Sequence, residues 1–113
     1  MDYTIQKGKT IILKSSRKVR QINIENIVYI SCDSYLLSVH FFNQKRAEIF
    51  SKPLKDMERE LSHFHFLRIN RNELINMKYF KSYYNNESRK ITLSTGTVLS
   101  VSRRKWSLIK NYF

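Results

Sequence analysis

Apolar residues fall along this chain in two rhythms, one of period two and one near 3.6, and the switches between them mark its elements. Ile11, Ile12 and Leu13 predict a first strand after a turn at Gly8; Val19, Ile22 and Ile24 continue the apolar spacing around Lys18, Arg20 and Gln21. Ile24-Glu25-Asn26-Ile27 reads as a short helical or turn step. Val28 to Phe42 predicts a hairpin. With Asp33-Ser34 as its two-residue loop, Ile30 falls opposite Leu37, Val28 opposite Val39 and Cys32 opposite Tyr35, leaving the aliphatic residues on one face. Asp-Ser suits a tight primed turn less well than Asn-Gly, so the register is better determined than the turn type. Tyr35 beside the tip fits either an apolar lid or a projecting contact.

A third strand, Arg46 to Phe50, is expected after the turn Asn43-Gln44-Lys45. Pro53 then opens a helix in which Leu54, Met57 and Leu61 recur at helical spacing, with Asp56, Glu58, Arg59 and Glu60 on the polar face. Phe66, Leu67 and Ile69 form a strand entering a polar knot, Asn70-Arg71-Asn72-Glu73, which Leu74 and Ile75 close. Buried flanks would pin the knot and turn its centre to solvent, so Arg71 would have little rotamer freedom left to lose on binding. Lys78 to Tyr84 predict another strand, followed by a turn at Asn85-Asn86. In the last hairpin, Gly96 at positive φ would make Ser94-Thr95-Gly96 a three-residue bulged loop, pairing Leu93 with Thr97 and Ile91 with Leu99. Ser102 is a natural N-cap for a terminal helix, Arg104 to Tyr112, burying Trp106, Ile109 and Phe113.

Composition narrows the function. The 113 residues suit a single domain, without repeat, linker or low-complexity segment. Lys and Arg number 21 against 9 Asp and Glu, a formal charge of +12, which is the footprint of a partner polyanion. No leader or membrane-spanning run is legible, and the single cysteine, Cys32, reads as strand packing in a reducing cytoplasm. Two glycines cannot build a phosphate or dinucleotide loop. His63 and His65 would share a strand face, but no further histidine or cysteine stands near to complete a metal site, and His40 reads as structural. Asp2, Asp33 and Asp56 are scattered, so no carboxylate pair suggests acid–base work. Neither enzyme activity nor a cofactor is expected.

Several residues together resemble a known family. Tyr29-Ile30 before a hairpin tip, Tyr35, and the helix Leu54 to Leu61 resemble the first half of the LytTR DNA-binding domain. Phe66-x-Arg68-Ile69-x-Arg71-x-x-Leu74-Ile75-Asn76 is similar to its central signature, and Val101-Ser102-Arg103-Arg104 to its C-terminal one. The resemblance implies a mostly β fold: an elongated array of small antiparallel sheets, about ten strands in all, with short packed helices. It implies one such domain over residues 1–113, its motifs lying within about 8–113.

The resemblance further implies recognition by loops reaching into successive grooves of a duplex, with DNA contacts from Tyr35, Arg71 and Arg103. Ser34, Asn72, Arg104 and Lys105 would then be supporting or phosphate contacts. An arginine fork can grip guanine O6 and N7, or favour a narrow minor groove as a cation. There are departures: Asn70 stands where the family commonly has His, Asn72-Glu73 where Ser-Tyr is frequent, and Asp33-Ser34 where a tip glycine is usual. Glu73 could hold Arg71 by a salt bridge or weaken its pull on phosphate.

The expected function is sequence-specific binding of double-stranded DNA in bacterial transcription. The implied partners are promoter repeats, a second copy of the chain on that DNA, and a sensor kinase acting through a receiver domain outside this chain; no membrane partner is expected. A stand-alone regulator and the output end of a larger one both fit. Two rivals stand beside this reading. One is a basic RNA-binding β module stacking bases on Tyr79, Phe80, Tyr83 and Tyr84. The other is a protein-interaction module whose charge serves solubility.

Overall fold

A computed structural model describes residues 9–112; the turn expected at Gly8 and the burial of Phe113 lie outside them. The chain runs β1 (Thr10–Lys14), β2 (Val19–Asn23), β3 (Ile27–Asp33), β4 (Leu36–Phe41), β5 (Glu48–Ser51), α1 (Leu54–Leu61), β6 (Phe66–Asn70), β7 (Glu73–Asn76), β8 (Phe80–Tyr83), β9 (Lys90–Leu93), β10 (Val98–Ser100) and α2 (Arg103–Tyr112). The strands form three antiparallel sheets: β1-β2, β5-β4-β3-β7-β6 and β10-β9-β8. The overall extents, 47 × 32 × 26 Å, are those of an elongated body.

The five-stranded sheet divides two cores. Ile30 and Leu74, paired across β3 and β7, face a core completed by Leu13 and Ile22 of the β1-β2 hairpin and by Leu54, Met57 and Leu61 of α1. Tyr29 and Ile75, the neighbouring pair, face the other core with Ile91, Leu93 and Leu99 of the third sheet and Ile109 of α2. An isolated eight-residue helix is not stable in water. Each fully buried aliphatic side chain contributes about 1.5–3 kcal/mol, so the apolar stripe of α1 is what holds it helical.

Three strand pairings are irregular, and one of these slips serves the two-core plan. At Val28 the pairing of β3 with β4 slips, sending Ile27 to the first core and Val28 to the second. The β6–β7 pairing also slips at Ile69, which faces the second core on the same side as Leu67 two positions earlier.

The first hairpin departs from the expected register. Ile30 lies opposite Val39, Cys32 opposite Leu37 and Asp33 opposite Leu36, so the loop is Ser34-Tyr35 rather than Asp33-Ser34. Ser34 adopts φ +59°, the positive value that such a tight loop requires at its first position. Because the slip is by a pair, Ile30, Leu37 and Val39 still share the buried face; Val28 leaves it through the bulge. The last hairpin forms as expected. Gly96 has φ +90°, its N–H donates to the Leu93 carbonyl at 2.8 Å, and Leu99 lies opposite Ile91.

Smaller differences are local. The third predicted strand begins at Glu48, not Arg46, and Met77–Tyr79 form a 3-10 turn before β8 where strand was expected from Lys78. His63 and His65 do not share a strand face: Ser62–Phe64 is a 3-10 turn and His65 caps it in the left-handed region. His40 is structural, stacked on Tyr29 with ring centroids 4.0 Å apart and its Nε2 3.2 Å from the Ser31 hydroxyl. Burial pushes its pKa below the ordinary histidine value.

Candidate nucleic-acid interface

Three chain segments carry the expected residues. The first is the β3–β4 tip, where Tyr35 is 84% exposed and therefore projects rather than covering the core. The second is the two-residue turn Arg71-Asn72 between β6 and β7, both residues exposed. The third is the start of α2: Ser102 is its N-cap, accepting the Lys105 N–H on Oγ at 3.3 Å, and Arg103 is its first residue. The sequence had placed Arg103 in the turn before that helix; capping by Ser102 draws it into the first helical turn.

Hydrogen bonds tie these segments to one another. The Cys32 N–H donates to the Asn72 carbonyl at 2.8 Å, joining tip to central turn. The bulge at Ile69 frees its carbonyl to accept the Ser102 N–H at 2.9 Å, joining central turn to α2. Asn70 Nδ2 donates to the Ser100 carbonyl at 2.7 Å and to Glu73 Oε1 at 2.8 Å, while its Oδ1 accepts the Asn72 N–H at 2.8 Å. Asn70 is thus a brace within the turn and across to β10. Glu73 takes the Asn70 amide and makes no salt bridge with Arg71, so it does not hold Arg71 as a salt-bridge partner.

The charges separate into paired and free sets. Glu48 binds Lys18, Arg20 and Gln44, Asp56 binds Arg59, Glu58 binds Arg68, and Glu60 binds Lys52. Burial alone would raise the Glu48 carboxyl, but the hydrogen bonds from Arg20, Gln44 and Lys18 outweigh it and hold its pKa below the usual value. Among the described residues, the side chains of Arg71, Arg103, Arg104 and Lys105 make no ion pair or hydrogen bond. They share this state with cations elsewhere, Lys14, Arg17, Lys45, Arg46, Lys55, Lys81, Lys90 and Lys110, so what sets them apart is their place at the three sites.

Two adjoining grooves gather most of the expected residues. One is lined by Ser34, Tyr35, Arg71 and Asn72 together with Cys32, Lys52, Lys55 and Arg68. The other is lined by Arg71, Arg104 and Lys105 with Glu58, Arg68 and Asn70. Arg103 joins neither; it lines a third groove with Asn85, Asn86, Glu87, Arg89 and Lys110. Cys32 is half-buried against the first core, in line with packing, and its Sγ lies 3.2 Å from the Ser34 carbonyl. Sequence reasoning did not single out Lys52 and Lys55, although their place beside Pro53 at the first turn of α1 was legible. Arg68 was visible only as part of a signature, because its partner Glu58 lies on another element.

The proposed stacking platform is absent. Tyr79 is buried, with its hydroxyl donating to the Glu25 carbonyl, and Phe80 and Tyr83 pack on the second core, Tyr83 against Trp106 at 5.3 Å. Only Tyr84 of the four is exposed, at 66%. Among the described residues no cluster of metal-ligating side chains occurs, and no helix is long and apolar enough to cross a membrane.

No curated protein matches the chain. The fold is similar to that of a LytTr DNA-binding domain from Bacillus cereus, with a TM-score of 0.74 at 16% identity over 91% of this chain and 94% of that one. The family model described as the LytTr DNA-binding domain matches residues 17–113, and the chain belongs to that family.

Proposed function

We propose that this chain binds double-stranded DNA sequence-specifically and thereby regulates transcription in the bacterial cytoplasm, with Tyr35, Arg71 and Arg103 as anchors in successive grooves. The observation that carries this reading is placement: Arg71, Arg103, Arg104 and Lys105, whose side chains make no ion pair or hydrogen bond, stand on segments tied together by backbone hydrogen bonds. A backbone already held in place spares the cost of ordering the turn on binding, and a guanidinium with no acid partner is available for phosphate or a base edge. Ser34, Asn72, Arg104 and Lys105 supply the phosphate contacts that fix register. Two copies side by side would occupy paired promoter repeats, and a receiver domain would couple the module to a sensor kinase. The module does no chemistry of its own and uses no cofactor.

Selection from a random duplex pool tests the reading. We expect enrichment of a motif built of two repeats spaced about one helical turn apart. Recovery of single-stranded RNA in preference to duplex, or of no motif at moderate salt, would refute it.

A further inference from the structure

We infer that Arg68 is a positioning residue that sets the pose of Arg71 without touching DNA itself; this rests on the DNA-binding reading above. Arg68 and Arg71 sit three positions apart and line the same two grooves, yet their guanidinium groups are in opposite states. The side chain of Arg68 is only 24% exposed. Its Nη2 donates to the Arg71 carbonyl, its Nε to the Asn70 carbonyl at 3.4 Å, and its Nη1 to Glu58 Oε1 on α1 at 3.2 Å. It therefore grips the main chain of the turn on one side and a helix packed on the first core on the other. Arg71 has no such partner among the described residues.

Charge favours the same division of labour. Glu58 neutralises Arg68 locally, which lowers its attraction for phosphate, whereas no acid contacts the Arg71 side chain. The bulge at Ile69 interrupts the β6–β7 ladder just before the turn. The strand pairing that would otherwise stiffen that point is missing, and the Arg68 guanidinium bridges the gap. A lysine could not replace it, since one ammonium cannot span two carbonyls and a carboxylate in a planar fork.

The test compares the parent with Arg68→Ala and Arg68→Lys. Affinity is measured for the duplex enriched by selection and for a random duplex at several salt concentrations. Amide hydrogen exchange of Asn72 is followed in the DNA-free protein. Both variants should lose about tenfold on the enriched duplex, with random-duplex affinity and salt slope unchanged. The Asn72 amide should exchange faster, because its acceptor Asn70 sits in the turn that Arg68 holds. Should Arg68→Ala not fold, Arg68→Lys carries the same comparison. Equal losses on both duplexes, with the salt slope of Arg68→Ala lower by about one unit, would make Arg68 a phosphate contact and overturn the inference. Unchanged affinity on both duplexes would overturn it as well. A parent that prefers no duplex would instead refute the underlying DNA reading, and the parent titration alone shows that.

Discussion

Arg71→Ala is expected to weaken binding to the enriched duplex by about 1–3 kcal/mol and to relax preference at one defined position of the motif. Arg103→Ala should do the same at a different position, because Arg103 lines a groove that Arg71 does not share. With no common partner between them, the two losses should add in the double variant. Arg104→Ala and Lys105→Ala form the contrast. As phosphate contacts they should weaken enriched and random duplexes alike and lower the salt slope by about one unit each. Arg20→Ala and Arg59→Ala should change DNA binding little, since both cations are paired to carboxylates away from these segments. Affinities on both duplexes, with circular dichroism to check folding, decide the matter. Parent-like binding by Arg71→Ala and Arg103→Ala would show that the proposed surface is wrong.

The largest effect on stability should come from Asn76, the one buried polar residue among those described, at 4% exposure. Its Nδ2 donates to the Ile27 carbonyl at 2.9 Å and its Oδ1 accepts the Lys78 N–H at 3.0 Å. It thereby ties the end of β7 to the start of β3 and opens the 3-10 turn that carries Tyr79 into the second core. Asn76→Ala strands a buried carbonyl and a partly buried N–H, at about 1–3 kcal/mol for each fully buried group, so a loss of roughly 2–4 kcal/mol is expected. In a domain this small that is a large share of total stability. Urea unfolding should show a lower midpoint at unchanged m-value. A loss below about 0.5 kcal/mol, the size of an ordinary surface substitution, would mean that water replaces both bonds. Asn76 closes the central signature, and its role there is structural rather than a DNA contact.

How far the sequence carries can be judged from the two hairpins. At the second, Gly96 alone could take the positive φ of a bulged loop, and only that loop kept Ile91 and Leu99 together; chemistry and periodicity agreed. At the first, neither Ser34 nor Tyr35 takes positive φ as readily as glycine or asparagine. Asp33 and Ser34 are both common in turns, so no residue marks the loop uniquely. Period two fixes the face of a strand but not which pair is opposite, so a slip of the loop by one residue went unseen. The bulge at Val28 was half-visible in the adjacent apolar pair Ile27-Val28, which strict alternation does not allow. The proposed anchors Tyr35, Arg71 and Arg103 stood out because apolar flanks and motif spacing mark them locally. The pairing of Arg68 with Glu58, the bracing by Asn70 across to Ser100, and the separation of Arg103 from Arg71 depend on contacts between distant elements, which no local pattern encodes.

The central claim, that the unpaired cations on these tied segments read duplex sequence, is tested most directly by the parent protein's affinity for enriched and random duplexes as salt rises. Both affinities should fall steeply with salt, because each neutralised phosphate releases counterions, and the enriched duplex should stay tighter throughout. Affinity that ignores salt, or that is equal on the two duplexes, would contradict the account.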